Sequence, residues 1–428
     1  MLKPIPYGRQ NITEEDIQAV VETLKSDYLT QGPRVKEFEE NFARYIGCKY
    51  AVAISNGTAA LHISALAMNV KPGDKVITTP ITFVASANCV RFCGGEVVFA
   101  DIDPITYLLD ISAVRKLLES SPKGTYQGII PVDFAGNAVN LEAFRALADE
   151  YGCWIIEDAC HAPGGFFSDS HGQKHHCGNG DYAELAIFSF HPVKHIACGE
   201  GGMVTTNNLE LYKELNRLRS HGITKGDDKY LNSIDFAEGI ESGSENREHN
   251  LPQPVGGTWN SKHGTENQEP RTDYPAWYME MQQLGFNYRI TDFQAALGSS
   301  QLLRADEGLA KRRSIASVYY HALKDKSYIL GQSGKASGHA YHLYVIEAKN
   351  RLGLFKYLRE HGILAQIHYI PAHLMPYYRQ FGWKEGDLPH AEKYYRHCIS
   401  LPMFPTLTNE QQQYVIDTIE EFYQHDVI

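Results

Sequence analysis

The sequence of 428 residues lacks the features that would place it in a membrane or on nucleic acid. It has no run of 18 apolar residues, so no transmembrane helix is predicted. Acidic residues number 51 against 40 basic ones, and the net charge of −11 disfavours nucleic acid and anionic membranes, although a local basic patch could still bind a phosphorylated ligand. The N-terminus has no apolar signal-peptide core, so we expect a cytoplasmic protein.

The sequence also has no cysteine pattern typical of disulfides or metal sites. Its eight cysteines are scattered, several of them within apolar runs, which is typical of reduced thiols. There is no CxxC or HExxH motif, and adjacent residues do not easily complete a tetrahedral ligand set, so we predict no metal. The nearest approach to a metal site is the cluster of His171, His175, His176 and Cys177.

Short β-branched runs alternate with helical patterns along the first three-quarters of the chain. This alternation predicts a largely parallel sheet with helices on both faces. In open sheets of this kind ligands bind beyond the carboxyl ends of the strands, so residues directly after strands are the candidate site residues. The predicted strands include 50–55, 75–80, 96–103, 128–133 and 153–159.

The pattern predicts a large domain over 1–309 and a smaller α+β domain over 310–428. Within the large domain, the segment from about 224 to 277 is rich in Gly, Asn, Asp, Glu and Pro and shows little periodicity. We interpret it as a long surface insertion. Its aromatic residues leave open the alternative of a lid or an oligomer contact: Trp259, Tyr274, Trp277 and Tyr278.

The first candidate motif joins a strand to a helix through Asn56, Gly57 and Thr58. Backbone N–H groups at a helix start, together with the helix dipole, favour an anion, so the motif predicts a phosphate site. The alternative is a tight turn that needs Gly57 only for its backbone angles.

The second motif is an apolar strand that ends at Asp158 in WIIEDACHAPGG. A buried carboxylate is costly unless a cation or a hydrogen-bond donor accompanies it, and the protonated ring nitrogen of a cofactor would serve. A helix N-cap or a structural ion pair is the alternative.

The third motif places Lys194 between an apolar strand and the glycine-rich segment GEGG, in FSFHPVKHIACGEGG. Most lysines are solvated surface charges, but this setting favours a cleft. A partly desolvated lysine can be unprotonated and nucleophilic. Together, the phosphate site, the acid and the lysine are typical of a site for pyridoxal 5′-phosphate (PLP).

These motifs form part of a longer pattern that resembles the DegT/DnrJ/EryC1/StrS family of PLP-dependent nucleotide-sugar aminotransferases. The resemblance covers nearly the whole chain and includes TTPITFVASANCV, EDACHAPGG, FSFHPVKHIACGEGG and GFNYRITDFQAALGSSQL. It implies the α/β architecture of fold type I, a mainly parallel seven-stranded sheet between helices with a smaller C-terminal α+β domain. It also implies a homodimer with shared active sites. The 224–277 segment is longer than is usual in the family.

The resemblance assigns roles to individual residues. Lys194 corresponds to the catalytic lysine that bonds covalently to PLP and moves the proton, and Asp158 to the partner of the ring nitrogen. The other cofactor contacts implied are Gly57, Thr58 and Ser189 at the phosphate, Phe83 on the ring face, His161 at the phenolic edge, and Asn287 at the neighbouring subunit's phosphate. Substrate contacts are predicted at His191, Gln31, Tyr7, His368 and Tyr369.

Structural alternatives remain for four of these residues. His161 and Phe83 are also interpretable as packed residues of the protein interior. For His368 and Tyr369, packing at a strand end is as good an interpretation as a contact to the sugar.

Within the family the chain is most similar to the pseudaminic acid branch, in TTPITFVASAN, VDFAG and GILAQIHYIPAH. This implies amino transfer from L-glutamate to C4 of UDP-2-acetamido-2,6-dideoxy-β-L-arabino-hexos-4-ulose, with pyridoxamine 5′-phosphate formed between the two half-reactions. Another 4-keto or 3-keto sugar linked to UDP, dTDP or GDP is the main alternative. A sugar dehydratase, which has His in place of the lysine, and a non-catalytic regulator are the others.

Overall fold

The computed structural model describes residues 4–225, 229–239, 274–334 and 337–425. They fall into two compact units, one formed by Met1–Leu215 with Tyr288–Ile428 and the other by Asn216–Asn287. The predicted boundary between residues 309 and 310 stays a prediction. Most of the predicted insertion, including Trp259, lies outside the described residues.

Sixteen strands occur in the described residues. They are β1 (Ile5–Pro6), β2 (Tyr50–Ile54), β3 (Lys75–Thr78), β4 (Glu96–Phe99), β5 (Tyr126–Ile130), β6 (Trp154–Asp158), β7 (Phe166–Ser168), β8 (Lys174–His176), β9 (Leu185–Ser189), β10 (Gly202–Thr206), β11 (Ile223–Thr224), β12 (Glu280–Met281), β13 (Ile329–Gln332), β14 (Tyr344–Ala348), β15 (Ile363–Leu364) and β16 (Cys398–Leu401).

Fourteen α-helices accompany them in the same residues. They are α1 (Glu14–Leu24), α2 (Pro33–Ile46), α3 (Gly57–Ala67), α4 (Ala85–Phe92), α5 (Ile111–Glu119), α6 (Leu141–Tyr151), α7 (Leu209–Arg219), α8 (Ile234–Ala237), α9 (Asp292–Leu302), α10 (Ala305–Leu323), α11 (Arg351–Glu360), α12 (Pro376–Arg379), α13 (Pro389–His397) and α14 (Asn409–His425).

The centre of the first unit is a seven-stranded sheet with the order β2-β10-β9-β6-β5-β3-β4. All neighbouring strands are parallel except β10, which is antiparallel to both β2 and β9. This confirms the predicted mainly parallel sheet of seven strands. Four of its strands are buried along nearly their whole length, as expected when helices cover both faces of a sheet.

The predicted strand over 96–103 is shorter in the structure and ends at Phe99. The pairing ends there because Phe99 is the partner of Thr78, the last residue of β3. Beyond the strand, the Asp101 carboxylate accepts hydrogen bonds from the backbone N–H groups of His390 and Ala391 at 2.9 Å each, which tie the chain to the start of α13. Sequence alone does not reveal them because the partners are almost 290 residues away.

The C-terminal part of the first unit contains the antiparallel sheet β13-β14-β16. Its apolar face packs with residues of α10, α11 and α14 in one cluster that includes Tyr319, Tyr344, Leu354 and Ile399. The sheet and its helices have the α+β character predicted for the C-terminal part, whereas a separate domain over 310–428 stays a prediction. No helix within the described ranges is both long and apolar enough to cross a membrane.

Candidate functional site

The candidate site lies where β6 and β9 end and α3 begins. Asp158 is the last residue of β6 and Ser189 the last residue of its parallel neighbour β9. Gly57 opens α3 beside them: a Cβ atom at this glycine would lie 3.0 Å from Ser189 Cβ and 3.7 Å from Cys160 Sγ. A side chain at position 57 would press against Ser189, so glycine is what lets the start of α3 come this close to the end of β9.

The Asp158 carboxylate is 5% exposed and is held by neutral donors. Ser86 Oγ donates a hydrogen bond to Oδ2 at 2.6 Å, and the backbone N–H of Cys160 donates to Oδ1 at 3.2 Å. No salt bridge to Asp158 occurs within the described residues. A structural ion pair, one of the alternatives left open by the sequence, is therefore not what holds this acid.

Lys194 lies in the turn after β9 and is half-buried. Burial lowers the pKa of its amine to about 8, with a further lowering by the charge of Arg312, while Cys160 and Asp158 act in the opposite direction. Its Nζ is 3.5 Å from Nε2 of His342. An amine with this pKa is partly neutral near pH 7 and can act as a nucleophile or accept a proton.

Arg312 of α10 supports this arrangement from the protein interior and is 1% exposed. Its Nη1 donates to the backbone carbonyl oxygens of Tyr341, His342 and Met403 at 3.0–3.3 Å. The guanidinium group thereby fixes the backbone that carries His342 next to Lys194. Arg312 is not among the residues predicted from the sequence, because nothing in its helical surroundings marks it as different from the adjacent Arg313.

Neutral rings form one wall of the site. The centroids of the His161 and His342 rings are 4.3 Å apart, and burial holds the pKa of both rings well below the ordinary value. His161 Nδ1 accepts the backbone N–H of Ala135 at 3.3 Å. The Tyr369 ring stacks on the His161 ring, with the two centroids 6.4 Å apart. The neighbouring His368 is also neutral, because burial, helped by the Lys194 charge, lowers its pKa to about 3.

Three more predicted residues lie at this wall or beside Gly57. Phe83 is 58% exposed and faces the Tyr369 ring at 6.4 Å, so it is not a core residue. Tyr7 lies 5.1 Å from the His368 ring. Thr58 occupies the first turn of α3 and is half-buried.

The remaining predicted residues have exposed side chains. The backbone N–H of His191 points to Ser189 Oγ at 3.5 Å. Gln31 precedes α2 and has a left-handed backbone conformation, with φ of 56°. Asn287 is the last residue of the second unit, where it forms a bridge with Ser220.

Ser86 is a second residue that the sequence analysis missed. It lies three positions after Phe83 in the segment PITFVAS, so its spacing from the predicted stacking residue was a usable signal. Its hydrogen bond to Asp158 joins α4 to the end of β6.

The histidine and cysteine cluster at 171–177 does not assemble as one group. Both ring nitrogens of His175 are bonded to carboxylates, Nδ1 to Asp181 at 2.7 Å and Nε2 to Asp169 at 3.1 Å. His176 is exposed. Cys177 instead lies in the interior, in a buried group with Asp133 and Glu157.

Known proteins resemble the chain over almost its full length. The sequence profile of the DegT/DnrJ/EryC1/StrS aminotransferase family matches residues 10–420. The spore coat polysaccharide biosynthesis protein SpsC of Bacillus subtilis is 33% identical over 97% of this chain and 96% of its own.

Two solved structures show the same fold. PseC of Helicobacter pylori, an aminotransferase involved in pseudoaminic acid biosynthesis, has a TM-score of 0.79 and 29% identity over 99% of this chain and 100% of its own. Spr1654 of Streptococcus pneumoniae, described as a sugar aminotransferase and solved in its PMP form, has a TM-score of 0.80 and 25% identity over 98% and 99%. The chain therefore belongs to the DegT/DnrJ/EryC1/StrS aminotransferase family, as a sugar aminotransferase.

Proposed function

We propose that the chain is a PLP-dependent transaminase that moves the amino group of L-glutamate to C4 of a UDP-linked 4-keto-6-deoxy sugar. The observation that carries this proposal is the half-buried Lys194 amine, with a pKa of about 8, in one site with the buried carboxylate of Asp158. The proposed sugar is UDP-2-acetamido-2,6-dideoxy-β-L-arabino-hexos-4-ulose. It is supported by the similarity to PseC, whose printed role is in pseudoaminic acid biosynthesis.

The described residues fit PLP. The N-terminus of α3 at Gly57, close to Ser189, suits its phosphate, and the Asp158 carboxylate, which forms no salt bridge in the described residues, suits a protonated ring nitrogen. Thr58 is proposed as a further phosphate contact, Phe83 as the ring-stacking residue and His161 as the contact to the phenolic edge. When bound, PLP supplies an aldehyde for covalent attachment and a ring that accepts electrons as a Cα–H proton leaves.

Lys194 performs the proton transfer in this proposal. Its amine is close to half neutral at pH 8, so it can accept the Cα proton of glutamate and later deliver a proton to the sugar C4. His342, a neutral ring 3.5 Å away, orients the amine without adding a second positive charge. Glutamate leaves as 2-oxoglutarate, and the ketone of the sugar becomes an amine.

Substrate contacts are proposed at Tyr7, His368 and Tyr369, which adjoin the ring wall. His191 and Gln31 are proposed as further contacts. Asn287 is proposed to reach the phosphate in the neighbouring subunit, which makes the working molecule a homodimer.

The first test asks for the cofactor bond. With PLP added, the purified protein should show an absorption band near the visible range. Borohydride should then attach the cofactor irreversibly to Lys194, which the mass of the peptide that contains Lys194 would reveal. Lys194→Ala should abolish turnover, and turnover near the parent rate would contradict the role of Lys194.

The second test asks for the substrate. A panel of 4-keto UDP- and dTDP-sugars is incubated with glutamate, and the mass of each amino product is measured. Turnover of another sugar with none of the pseudaminic precursor would replace the substrate and leave the transaminase proposal standing.

A further inference from the structure

A small cavity lies between the turn that carries Lys194 and the junction of α9 and α10. The segment before α1 and the chain after β16 complete its walls. Its volume is about 40 Å³, which suits a single small ion and is too small for a sugar or a nucleotide. Among the described residues, Lys194 is the one group that the cavity shares with the candidate site. The chemistry proposed above therefore does not explain the cavity.

Arg312 brings unpaired N–H groups to this cavity. A guanidinium group has five N–H donors, and those of Nη1 bind the three backbone carbonyl groups described above. Nε and Nη2 have no hydrogen-bond acceptor in the described residues, although the side chain is 1% exposed. The group remains a cation at neutral pH, even though burial lowers its pKa to about 10. A buried charged donor without an acceptor is costly, so this setting favours a ligand that accepts hydrogen bonds.

Carboxylates balance only part of the positive charge around the cavity. Lys311 Nζ forms an ion pair with Oε1 of Glu307 at 2.7 Å. Nη2 of Arg304 donates to the carboxylate of Asp16, and Nε of Arg304 has no acceptor in the part of the chain that the structure describes. These two pairs neutralise Lys311 and Arg304 and leave the remaining positive charge uncompensated.

Arg9 and Arg312 carry that remaining charge. Both line the cavity, and neither forms a salt bridge within the described ranges. Arg9 is exposed, whereas Arg312 is buried. His195 also lines the cavity but adds no charge, because burial holds its pKa well below the ordinary value and its Nε2–H donates to the carbonyl oxygen of Ala340 at 2.9 Å. In a chain with a net charge of −11, two uncompensated arginines at one small cavity indicate an anion.

We propose that this cavity binds a small inorganic anion of the size of chloride, which goes beyond the proposed function and does not depend on it. The unpaired N–H groups of Arg312 hold the ion, and the exposed Arg9 attracts it from solvent. The competing occupant is a carboxylate group of the amino donor, which would bring the same charge.

The bound anion also acts on Lys194, an effect that rests on the proposed function. Because Lys194 lines the same cavity, a negative charge there favours the protonated amine and lowers the fraction that can attack an aldehyde. The anion thus opposes the charge of Arg312, which disfavours the protonated amine. Further titratable groups that act on Lys194 are Asp158, Cys160 and His161 at the end of β6, the adjacent His195, and His342 and His368 from the C-terminal part.

The binding experiment measures the width of the chloride NMR line as PLP-loaded protein is added to sodium chloride, with a bulky sulfonate keeping the ionic strength constant. A bound ion relaxes faster, so the parent protein should broaden the line, and added bromide should reverse the broadening. Arg312→Lys, which keeps the charge and loses the fork of donors, should weaken binding about tenfold or more. Arg9→Gln should weaken it about threefold, the effect of one exposed charge.

Arg115→Gln is the matched control. It removes the charge of an exposed arginine of α5 that pairs with Glu150 outside the cavity, and it should bind chloride like the parent. Circular dichroism checks the fold of each variant. Arg9→Gln keeps the test decisive if Arg312→Lys does not fold, because the Arg9 side chain is exposed.

The effect on Lys194 is measured as the rate at which the cofactor-free protein takes up PLP at pH 7. Chloride should slow this uptake about threefold at saturation, over the same concentrations at which the NMR line reports binding. Uptake that bound chloride leaves unchanged would contradict the coupling to Lys194.

The outcomes separate the anion site from the proposed function. No broadening by the parent protein, or broadening that neither cavity substitution reduces, overturns the anion site. Displacement of chloride by glutamate, over the range in which glutamate changes the cofactor spectrum, assigns the cavity to the amino donor and also overturns it. A parent protein that binds chloride but shows no spectral change with glutamate contradicts the proposed function and leaves the anion site standing.

Discussion

At the scale of single residues, the charge state of Lys194 depends on its surroundings more than on the residue type. Burial is the main cause of its lowered pKa, and the Arg312 charge acts in the same direction. The nearby His161 and His342 rings stay neutral because burial lowers their pKa as well. The site can therefore hold a reactive amine without an adjacent imidazolium.

The pH dependence of cofactor attachment follows from the Lys194 pKa. Only the neutral amine attacks an aldehyde, so the rate at which the cofactor-free protein takes up PLP should rise about tenfold per pH unit below about 8 and then level off. Stopped-flow absorbance measures the rate, with free Nα-acetyl-lysine as the control. A rate that keeps rising beyond pH 10, as for an ordinary lysine, would contradict the lowered pKa.

Removal of the Ser86 hydroxyl should destabilise the protein through Asp158. Ser86→Ala leaves Oδ2 of a buried carboxylate without its 2.6 Å donor, so the free energy of unfolding should fall by about 1–3 kcal/mol. Urea denaturation measures it. Ser112→Ala, at an exposed position of α5, is the control and should change little. Equal effects of the two substitutions would mean that the hydrogen bond contributes nothing.

At the scale of elements, α9 packs closely against α2 because Gly298 has no side chain. A Cβ atom there would lie 2.6 Å from Phe38 Cζ and 2.8 Å from Cys198 Sγ. The glycine lowers the helix propensity of α9, and tertiary packing overrides that preference.

Two helical glycines should respond with opposite signs to the same substitution. Gly298→Ala should lower the free energy of unfolding by about 1–3 kcal/mol through overpacking. Gly308→Ala in α10, where the nearest atom to a new Cβ is 3.6 Å away, should raise it by about 0.5–1 kcal/mol. Chemical denaturation measures the free energy of unfolding of both variants. Stabilisation by Gly298→Ala would contradict the close packing of α9 against α2.

The hairpin of β7 and β8 is held by His175 in a pH-dependent manner. Burial favours the neutral ring, but hydrogen bonds to Asp181 and Asp169 outweigh it and raise the pKa of His175. A pKa raised on folding adds stability below the unfolded value of about 6.5, and this contribution is lost as the pH rises through the folded value.

The difference in unfolding free energy between the parent and His175→Gln should therefore be larger near pH 6 than near pH 9. Urea denaturation at both pH values measures it. His176→Gln, which changes the exposed neighbour, should show no such difference. If the difference in unfolding free energy between the parent and His175→Gln were the same at both pH values, the ring would act only through packing.

At the scale of the whole molecule, the proposed dimer predicts complementation between two inactive variants. Under this proposal, Lys194→Ala and Asn287→Ala should each damage every site of their own homodimer. In a mixed dimer one site combines the intact Lys194 of one chain with the intact Asn287 of the other.

Mixing the two variants after partial unfolding and refolding should restore about a quarter of the parent activity, since half the dimers are mixed and each has one intact site. Turnover of the mixture against each variant alone measures this. An affinity tag on one of the two variants calibrates exchange, since the untagged variant is recovered on the affinity resin only as part of a mixed dimer. No recovery, with exchange demonstrated, would place Lys194 and Asn287 in the same chain's site.

By itself, the sequence determined those features that depend on residues close together in the chain. Apolar β-branched runs predicted the strands of the sheet, because a strand buried on both faces needs apolar residues throughout. The motifs around Gly57, Asp158 and Lys194 predicted the site, because parallel strands bring their carboxyl ends to one edge.

Only the tertiary structure decided what holds these residues and what surrounds them. Ser86 reaches Asp158 across 72 residues, Lys194 meets His342 across 148, and Tyr378 meets Asn88 across 290. Such pairs leave no local pattern, because their contact depends on how distant helices and strands pack. The lowered pKa of Lys194 has the same origin, since desolvation is a property of the folded interior and not of the residues beside it in the chain.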